Sequence, residues 1–143
     1  MSASWQRQND GSSSGRAPDG MQQRFEAGTL VSLRSAVAAH GSALGLADGR
    51  VEDLVLVAHE LATNAVRHGG GAGRLRLWRV DGSVFCEVTD AGAGFVFPHP
   101  DRLRRPDLGA SGGRGLWIVA RLVDQMRVDS GEAGTVALVE LRL

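Results

Sequence analysis

The sequence contains no lysine, since all 16 of its Lys+Arg positions are arginine. This absence excludes a lysine Schiff base, and it excludes the phosphate-binding lysine of the G-x-x-x-x-G-K-[ST] motif. Any nucleotide site in this chain must therefore hold phosphates in another way. A lysine-free composition also suggests a GC-rich genome.

Cysteine, long apolar runs and excess charge are scarce as well. Cys86 is the only cysteine, so an internal disulfide and a multi-cysteine metal site are excluded. No apolar run approaches the ~18 residues of a membrane span, and the first residues lack the apolar core of a signal peptide. The formal net charge is +0, which predicts no basic surface for direct nucleic-acid binding. We therefore expect a cytoplasmic protein without membrane contact.

The 143 residues suffice for one domain with a hydrophobic core and are too few for two. Residues 1–22 are rich in Ser, Gly, Asn, Asp and Pro, and we predict that they form a disordered leader or an expression remnant. Residues 23–143 are then the single folded domain.

Hydrophobic periodicity predicts three helices, in TLVSLRSAVAAHGSALGL from Thr29, in ADGRVEDLVLVAHELATNAVRHG, and in RGLWIVARLVDQ. The Asp81-Gly82 pair predicts a hairpin between RLRLWRV and SVFCEVTD, and a second hairpin is predicted around residues 131–134. The Gly- and Pro-rich segment before the third helix is predicted to be a long loop of the lid or binding type. The order α-α-β-β-loop-α-β-β predicts an α+β fold with helices on one face of a mainly antiparallel sheet.

The second predicted helix carries an unusual polar edge in HELATNAVRHGG. At 100° per residue, Glu60, Asn64 and Arg67 lie beside its apolar stripe. A solvated face with a salt bridge from Glu60 is one interpretation. A ligand is the other, because asparagine has no propensity reason to occupy a helix interior. The glycines after His68 are interpreted as letting the chain turn into the next strand.

Two glycine-containing motifs follow this helix. In TDAGAGF, Asp90 ends a strand before Gly92 and Gly94, so that a carboxylate can accept from a ligand while the backbone approaches it closely. In SGGRGLWIV, Gly113 and Gly115 open a helix whose free amides suit an anion such as phosphate. Each motif taken alone is equally compatible with an ordinary turn or helix start.

The three motifs in this order resemble the ATPase and kinase superfamily that includes gyrase B, the ninety-kilodalton heat-shock chaperones, histidine kinases and MutL. ELATNAVRHG resembles its N box, DAGAGF its first glycine box and GGRGLWIV its second, and the resemblance covers about residues 25–143. The Glu-x-x-x-Asn-Ala-x-x-His form and the single-domain length are most similar to the anti-sigma-factor serine/threonine kinases, of an actinobacterial type. The resemblance implies a Bergerat-type ATP-binding fold, a two-layer α/β sandwich with about three helices on one face of the sheet.

The resemblance also implies roles for individual residues. Asn64 would ligate Mg²⁺, and Glu60 would deprotonate the attacking hydroxyl of a protein substrate or orient a water. Asp90 would accept from the adenine amino group, and a nearby water, which Thr135 would share, would complete the contact. Nucleotide contacts are implied at Asn64, Arg67, Asp90, Gly92, Gly94, Gly113, Arg114, Gly115, Leu116 and Thr135.

Structural alternatives stay open for several of these residues. Arg67 is equally compatible with a surface salt bridge, and Thr135 with an ordinary strand position. His68 is interpreted as a cation at a helix C-terminus. Trp78 and Trp117 are interpreted as aromatics in or beside the core, and Cys86 as a buried hydrophobe.

The implied function is an ATP-dependent serine/threonine kinase that sequesters an RNA polymerase sigma factor and phosphorylates an anti-anti-sigma antagonist, as a homodimer. The alternative is an ATP-binding regulatory module without phosphotransfer. A complete histidine kinase is excluded because the sequence has no phosphoacceptor histidine box or dimerisation helix pair. Residues 110–112 lack the arginine that some anti-sigma kinases carry before the second glycine box, which implies weaker phosphate contacts.

Overall fold

The structure, a computed structural model, describes residues 20–92 and 113–143, with only the backbone described at positions 113 and 114. Most of the predicted leader and of the predicted long loop, including Gly94, lies outside these residues. The described part contains five strands and three α-helices: β1 (Met21–Glu26), α1 (Leu30–Ala43), α2 (Asp48–His68), β2 (Ala72–Val80), β3 (Ser83–Asp90), α3 (Gly113–Leu122), β4 (Gln125–Gly131) and β5 (Gly134–Arg142).

The five strands form one sheet in the order β1-β2-β3-β5-β4, and every neighbouring pair is antiparallel. Both predicted hairpins are present, and the turn of the first places Asp81 at φ 51°, a conformation typical of tight hairpin turns. The prediction of an α+β sandwich is confirmed.

Strand β1 is an element that the sequence did not predict. Its residues, MQQRFE, contain a single large buried side chain, Phe25, which is 3% exposed. Such a segment has too little apolar alternation to indicate a strand, and its conformation comes from pairing with β2. The strand begins at Met21, inside the segment interpreted as a leader.

One face of the sheet packs against the helices and forms the main core. Helix α2 contributes an apolar stripe at intervals of three and four residues, and alternate residues of the strands face it. The buried members of α2 are Leu54, Val57, Ala58, Leu61, Ala62, Asn64 and Ala65. Asn64 is the one polar side chain in this list.

The other face of the sheet carries a smaller cluster of Trp78, Phe85 and Leu138. The rings of Trp78 and Phe85 stack with centroids 5.7 Å apart. The interpretation of Trp78 as a structural aromatic is therefore confirmed, although it lies on the face opposite the helices.

Arg50 fixes the end of α3 against the start of α2. Its Nη1 donates to the carbonyl oxygen of Leu122 at 2.8 Å, and its Nη2 donates to Oδ2 of Asp124 at 2.6 Å. The same Asp124 oxygen accepts the backbone N–H of Arg142 at 2.8 Å. These bonds tie the C-terminal end of α3 to the start of α2 and to the end of β5.

Cys86 is fully buried on the helix-facing side of β3, which confirms its interpretation as a buried hydrophobe. Burial, aided by the negative charge of Glu87, raises the pKa of the Cys86 thiol from 9.0 to about 12. Above pH 9 the unfolded thiol loses its proton while the folded thiol keeps it, so the free energy of unfolding must fall as pH rises through this window.

We therefore expect urea denaturation between pH 8.5 and about 10.5 to show a loss of up to ~1.4 kcal/mol per pH unit from this group. Cys86→Ala should remove that slope, although its stability at pH 8 is lower because of the cavity. The chain has no lysine or tyrosine to titrate in the same range. Equal slopes for both proteins would contradict the assignment.

Candidate functional site

The acid and the amide of α2 lie one helical turn apart at the boundary of the core. Glu60 is partly exposed, whereas Asn64 is 7% exposed. The amide nitrogen Nδ2 of Asn64 is buried and has no hydrogen-bond partner among the described residues. An unpaired buried polar group costs about 1–3 kcal/mol, so native proteins retain one where a ligand or water completes it. Asn64 is thus one of three described residues, with Thr63 and Arg127, that have a buried side-chain atom without a hydrogen-bond partner.

Glu60 lies directly against the first turn of α3. A Cβ atom on Gly115 would stand 2.5 Å from Oε1 of Glu60, so the Glu60 side chain would have to move away to admit another residue. Glycine at this position therefore lets the start of α3 approach the carboxylate. Glu60 forms no ion pair with Arg67, so the salt-bridge interpretation of this pair is wrong for the described structure.

The first turn of α3 offers backbone amides rather than side chains. Gly115 is buried, and the side chain of Leu116 is 3% exposed within the main core. Any contact of Leu116 with a ligand would therefore come from its backbone. Backbone amides in the first turn of a helix attract anions, and this is the physical basis of the phosphate role predicted for this glycine box.

Asp90 ends β3 in a tight arrangement with two glycines. Its Oδ1 accepts the backbone N–H of Gly92 at 3.0 Å. A Cβ atom on Gly69 would overlap the Asp90 carboxyl group, and a Cβ atom on Gly92 would stand 2.5 Å from the Cα of Gly69. These contacts hold the end of α2 against the end of β3.

The sequence did not predict this role for Gly69, which was interpreted only as part of a turn. Its backbone φ of −110° is open to other residues, but an added side chain would displace the Asp90 carboxyl group from its present position. A contact between positions 69 and 90 is tertiary, and no local sequence signal reports it.

Thr135 stands directly opposite Asp90 in the pairing of β3 with β5. It is 4% exposed, and its Oγ1 lies 2.8 Å from Oγ of Ser130 across the β4–β5 hairpin. Gly134 precedes it with φ +123°, and a Cβ atom there would overlap the backbone oxygen of Asp90. The geometry brings Thr135 beside Asp90, as the resemblance implies.

Arg67 and His68 occupy the last turn of α2, where positive charge is favourable, and both are exposed. Arg67 has no ion pair within residues 20–92 and 113–143. Trp117 is half-buried, with the guanidinium of Arg121 5.6 Å from its ring centroid. Of the remaining predicted contacts, Gly94 and the Arg114 side chain lie outside the described structure.

The described groups follow one another along the axis of α2. Glu60 and Gly69 are nine residues apart, which corresponds to about 14 Å at a rise of ~1.5 Å per residue, with Asn64 between them. The Glu60 carboxylate and the backbone N–H groups of α3 therefore lie at one end of the site. The unpaired side-chain amide of Asn64 lies in the middle, and Asp90 and Thr135 lie at the other end. This order has the polarity of an extended ligand with an anionic end and a hydrogen-bonding end.

Comparison with known proteins identifies the family of the chain and its relatives. The family described as the histidine kinase-like ATPase domain matches residues 24–141. Among curated proteins, the chain is similar to the serine-protein kinase RsbW of Bacillus subtilis (strain 168), with 27% identity over 124 residues that cover 76% of this chain and 75% of that protein.

Two solved structures resemble the fold. The RsbU and RsbW domains of Rv1364c from Mycobacterium tuberculosis align with a TM-score of 0.65 and 20% identity over 87% of this chain and 32% of that one. The histidine kinase domain from the Erythrobacter litoralis EL346 blue-light activated histidine kinase aligns with a TM-score of 0.56 and 22% identity over 81% of this chain and 60% of that one. The chain thus spans about a third of the first structure, and at these identities both matches establish the fold alone.

Proposed function

Because the chain belongs to the histidine kinase-like ATPase family, we propose that it is an ATP-dependent serine/threonine protein kinase of the anti-sigma-factor type. In this proposal it sequesters an RNA polymerase sigma factor and phosphorylates an anti-anti-sigma antagonist. The similarity to a curated serine-protein kinase supports the activity. The observation that carries the proposal is the buried, unpaired amide of Asn64 one turn from Glu60.

The residues fit a magnesium-bound nucleotide. Rotation of the Asn64 side-chain amide by half a turn exchanges the positions of its oxygen and nitrogen. The amide oxygen would then occupy the position of the unpaired nitrogen, and oxygen is the ligand atom that Mg²⁺ prefers. Magnesium usually keeps several waters and takes one or two protein oxygens plus substrate phosphates, so a single amide ligand suffices. The amides of Gly113, Gly115 and Leu116 would face the phosphates.

The opposite end of the site fits adenine. The Asp90 carboxylate would accept a hydrogen bond from the adenine amino group. Guanine has a carbonyl oxygen at the same place, so two acceptors would face each other and the carboxylate would have no hydrogen-bond donor. Gly92 and Gly69 keep side chains away from this edge, and Thr135 supplies a hydroxyl beside it. Arg67, Arg114 and Gly94 complete the proposed contacts.

The kinase reaction needs a base near the phosphate end. When bound, ATP supplies the transferable phosphoryl group. In this proposal Glu60 accepts the proton of a serine or threonine hydroxyl at its carboxylate. The close approach of Gly115 to this carboxylate supports the role, because it brings the group beside the first turn of α3. The chain itself thus orients the hydroxyl and takes up its proton.

The proposal extends to partners and location. A sigma factor and an anti-anti-sigma protein are the proposed partners, the proposed assembly is a homodimer, and the proposed location is the cytoplasm. None of the described helices has the length and apolar character that crossing a bilayer requires.

Asn64→Ala tests the nucleotide site. We expect magnesium-dependent ATP affinity, measured by isothermal titration calorimetry with and without Mg²⁺, to fall by more than about tenfold, since even outer partners of a bound metal contribute that much. The free energy of unfolding without nucleotide should stay the same or rise, because no hydrogen bond of the described structure is lost.

The matched control is Gln125→Ala, which removes an exposed amide from β4. It should leave ATP affinity unchanged. If Asn64→Ala binds Mg-ATP as the parent does, or if it is destabilised without any change in binding, the amide serves the fold and the magnesium assignment is wrong.

A further inference from the structure

A cleft opens near the end of β3, beside Asp90, and neither Glu60 nor Asn64 lines it. Its volume is about 440 Å³, within the range of small-molecule sites. The residues that line it are Arg24, Gly69, Gly70, Ala72, Gly73, Arg74, Thr89, Asp90, Ala91 and Gly92. The proposed function uses neither of the two arginines.

These arginines face each other across two strands. Arg24 of β1 is the direct register partner of Arg74 of β2, and Arg74 is the partner of Thr89 on β3. All three lie on the face of the sheet opposite the helices, because the alternate residues Phe25, Leu75 and Val88 are in the main core. Cross-strand partners on one face have Cβ atoms ~5 Å apart, and like charges so placed are destabilising.

The other described arginines on this face are neutralised. Arg76 pairs with Glu87 at 3.4 Å, Arg127 with Asp129 at 3.2 Å, and Arg142 with Glu140 at 3.7 Å. Arg24 and Arg74 are exposed, and neither forms an ion pair within the described residues. The unpaired positive charge of this face is therefore concentrated at the cleft.

The remaining wall of the cleft suits an anion as well. The segment of residues 69–73 has glycines at four of its five positions, and Gly70 and Gly71 adopt φ of +92° and +94°. Such a wall presents mainly backbone, with the methyl group of Ala72 as its one side chain. The Asp90 carboxylate is turned toward Gly69 and accepts from Gly92, on the helix-facing side of the sheet.

We propose that Arg24, Arg74 and Thr89 form a binding site for a small phosphate dianion on the sheet face opposite the helices, at the rim of a cleft that also borders the proposed adenine end. Two planar guanidinium groups match the oxygens of a phosphate in bidentate fashion, and the threonine hydroxyl adds a third donor. The shared chemistry is a phosphate group, supplied either as free phosphate or as a small phosphomonoester, for which the volume of the cleft leaves space.

The test uses inorganic phosphate and O-phosphoserine as probes, titrated into the full chain and followed by calorimetry and by amide chemical shifts of residues 69–73. Arg74→Gln is expected to weaken the binding of both probes by at least about tenfold, the effect of a lost charge-assisted hydrogen bond. Arg142→Gln is the control, since it removes one positive charge from the same face and should change affinity by less than about twofold. Tighter binding of O-phosphoserine would identify a phosphomonoester as the ligand class, and equal binding would identify free phosphate.

Two further measurements separate a ligand site from a structural role. Arg74→Gln should be at least as stable as the parent, because it relieves the repulsion from Arg24. It should also bind ATP with unchanged affinity, which keeps this test distinct from that of the nucleotide site. The proposal is overturned if neither probe binds, if Arg142→Gln weakens binding equally, or if Arg74→Gln weakens ATP instead.

Discussion

Glu60→Gln is expected to reduce phosphate transfer to a protein substrate by about 10²- to 10⁴-fold, the usual contribution of a positioned general base. The glutamine keeps the size of the side chain and its fit against Gly115, so the site should stay assembled. ATP affinity should therefore remain within about twofold of the parent, because the substitution removes proton acceptance rather than a phosphate contact. Transfer of label from ATP to a candidate antagonist that carries a serine measures the first quantity, and calorimetry the second.

The control for this variant lies on the same helix. Glu52 is exposed on α2, two turns before Glu60, and Glu52→Gln removes the same charge without touching the site. It should transfer phosphate as the parent does. Full transfer by Glu60→Gln would eliminate Glu60 as the base. Absence of transfer by the parent, with ATP binding intact, would instead favour the regulatory module without phosphotransfer.

Much of the fold was predictable because its signals are local. The three helices have apolar residues at helical intervals, and an Asp-Gly pair marks the first hairpin, so each element carries its own pattern. Strand β1 has no such pattern. It buries one large residue and depends on β2 for its backbone hydrogen bonds, and this partner lies some fifty residues later in the chain.

The site was predictable in its residue types but not in its contacts. Asn64 stood out because an uncharged amide in a helix interior, predicted to lie beside the apolar stripe, has no propensity reason to be there. The structure instead places it among the buried residues of that stripe, with an unpaired amide nitrogen. The approach of Gly115 to Glu60, of Gly69 to Asp90 and of Arg24 to Arg74 depends on packing and register between separate elements. Sequence patterns within one element contain no information about such distances.

Gly134→Ala is expected to lower the free energy of unfolding by about 2–3 kcal/mol and to weaken ATP binding at the same time. Gly134 has φ +123°, a conformation strained for alanine, and its Cβ atom would overlap the backbone oxygen of Asp90, which is not free to rotate away. The strand end that carries Asp90 must therefore shift, and with it the carboxylate proposed to select adenine.

Gly131→Ala is the matched control, because Gly131 lies in the same hairpin, is the register partner of Gly134, has no positive φ and has nothing within 4 Å of an added Cβ atom. Its stability and ATP affinity should stay near those of the parent. Urea denaturation and calorimetry on both variants separate a general sensitivity of the hairpin from the specific contact with Asp90. A Gly134→Ala protein that is destabilised but binds ATP with full affinity, in preference to GTP, would show that the position of Asp90 does not control the adenine end of the site.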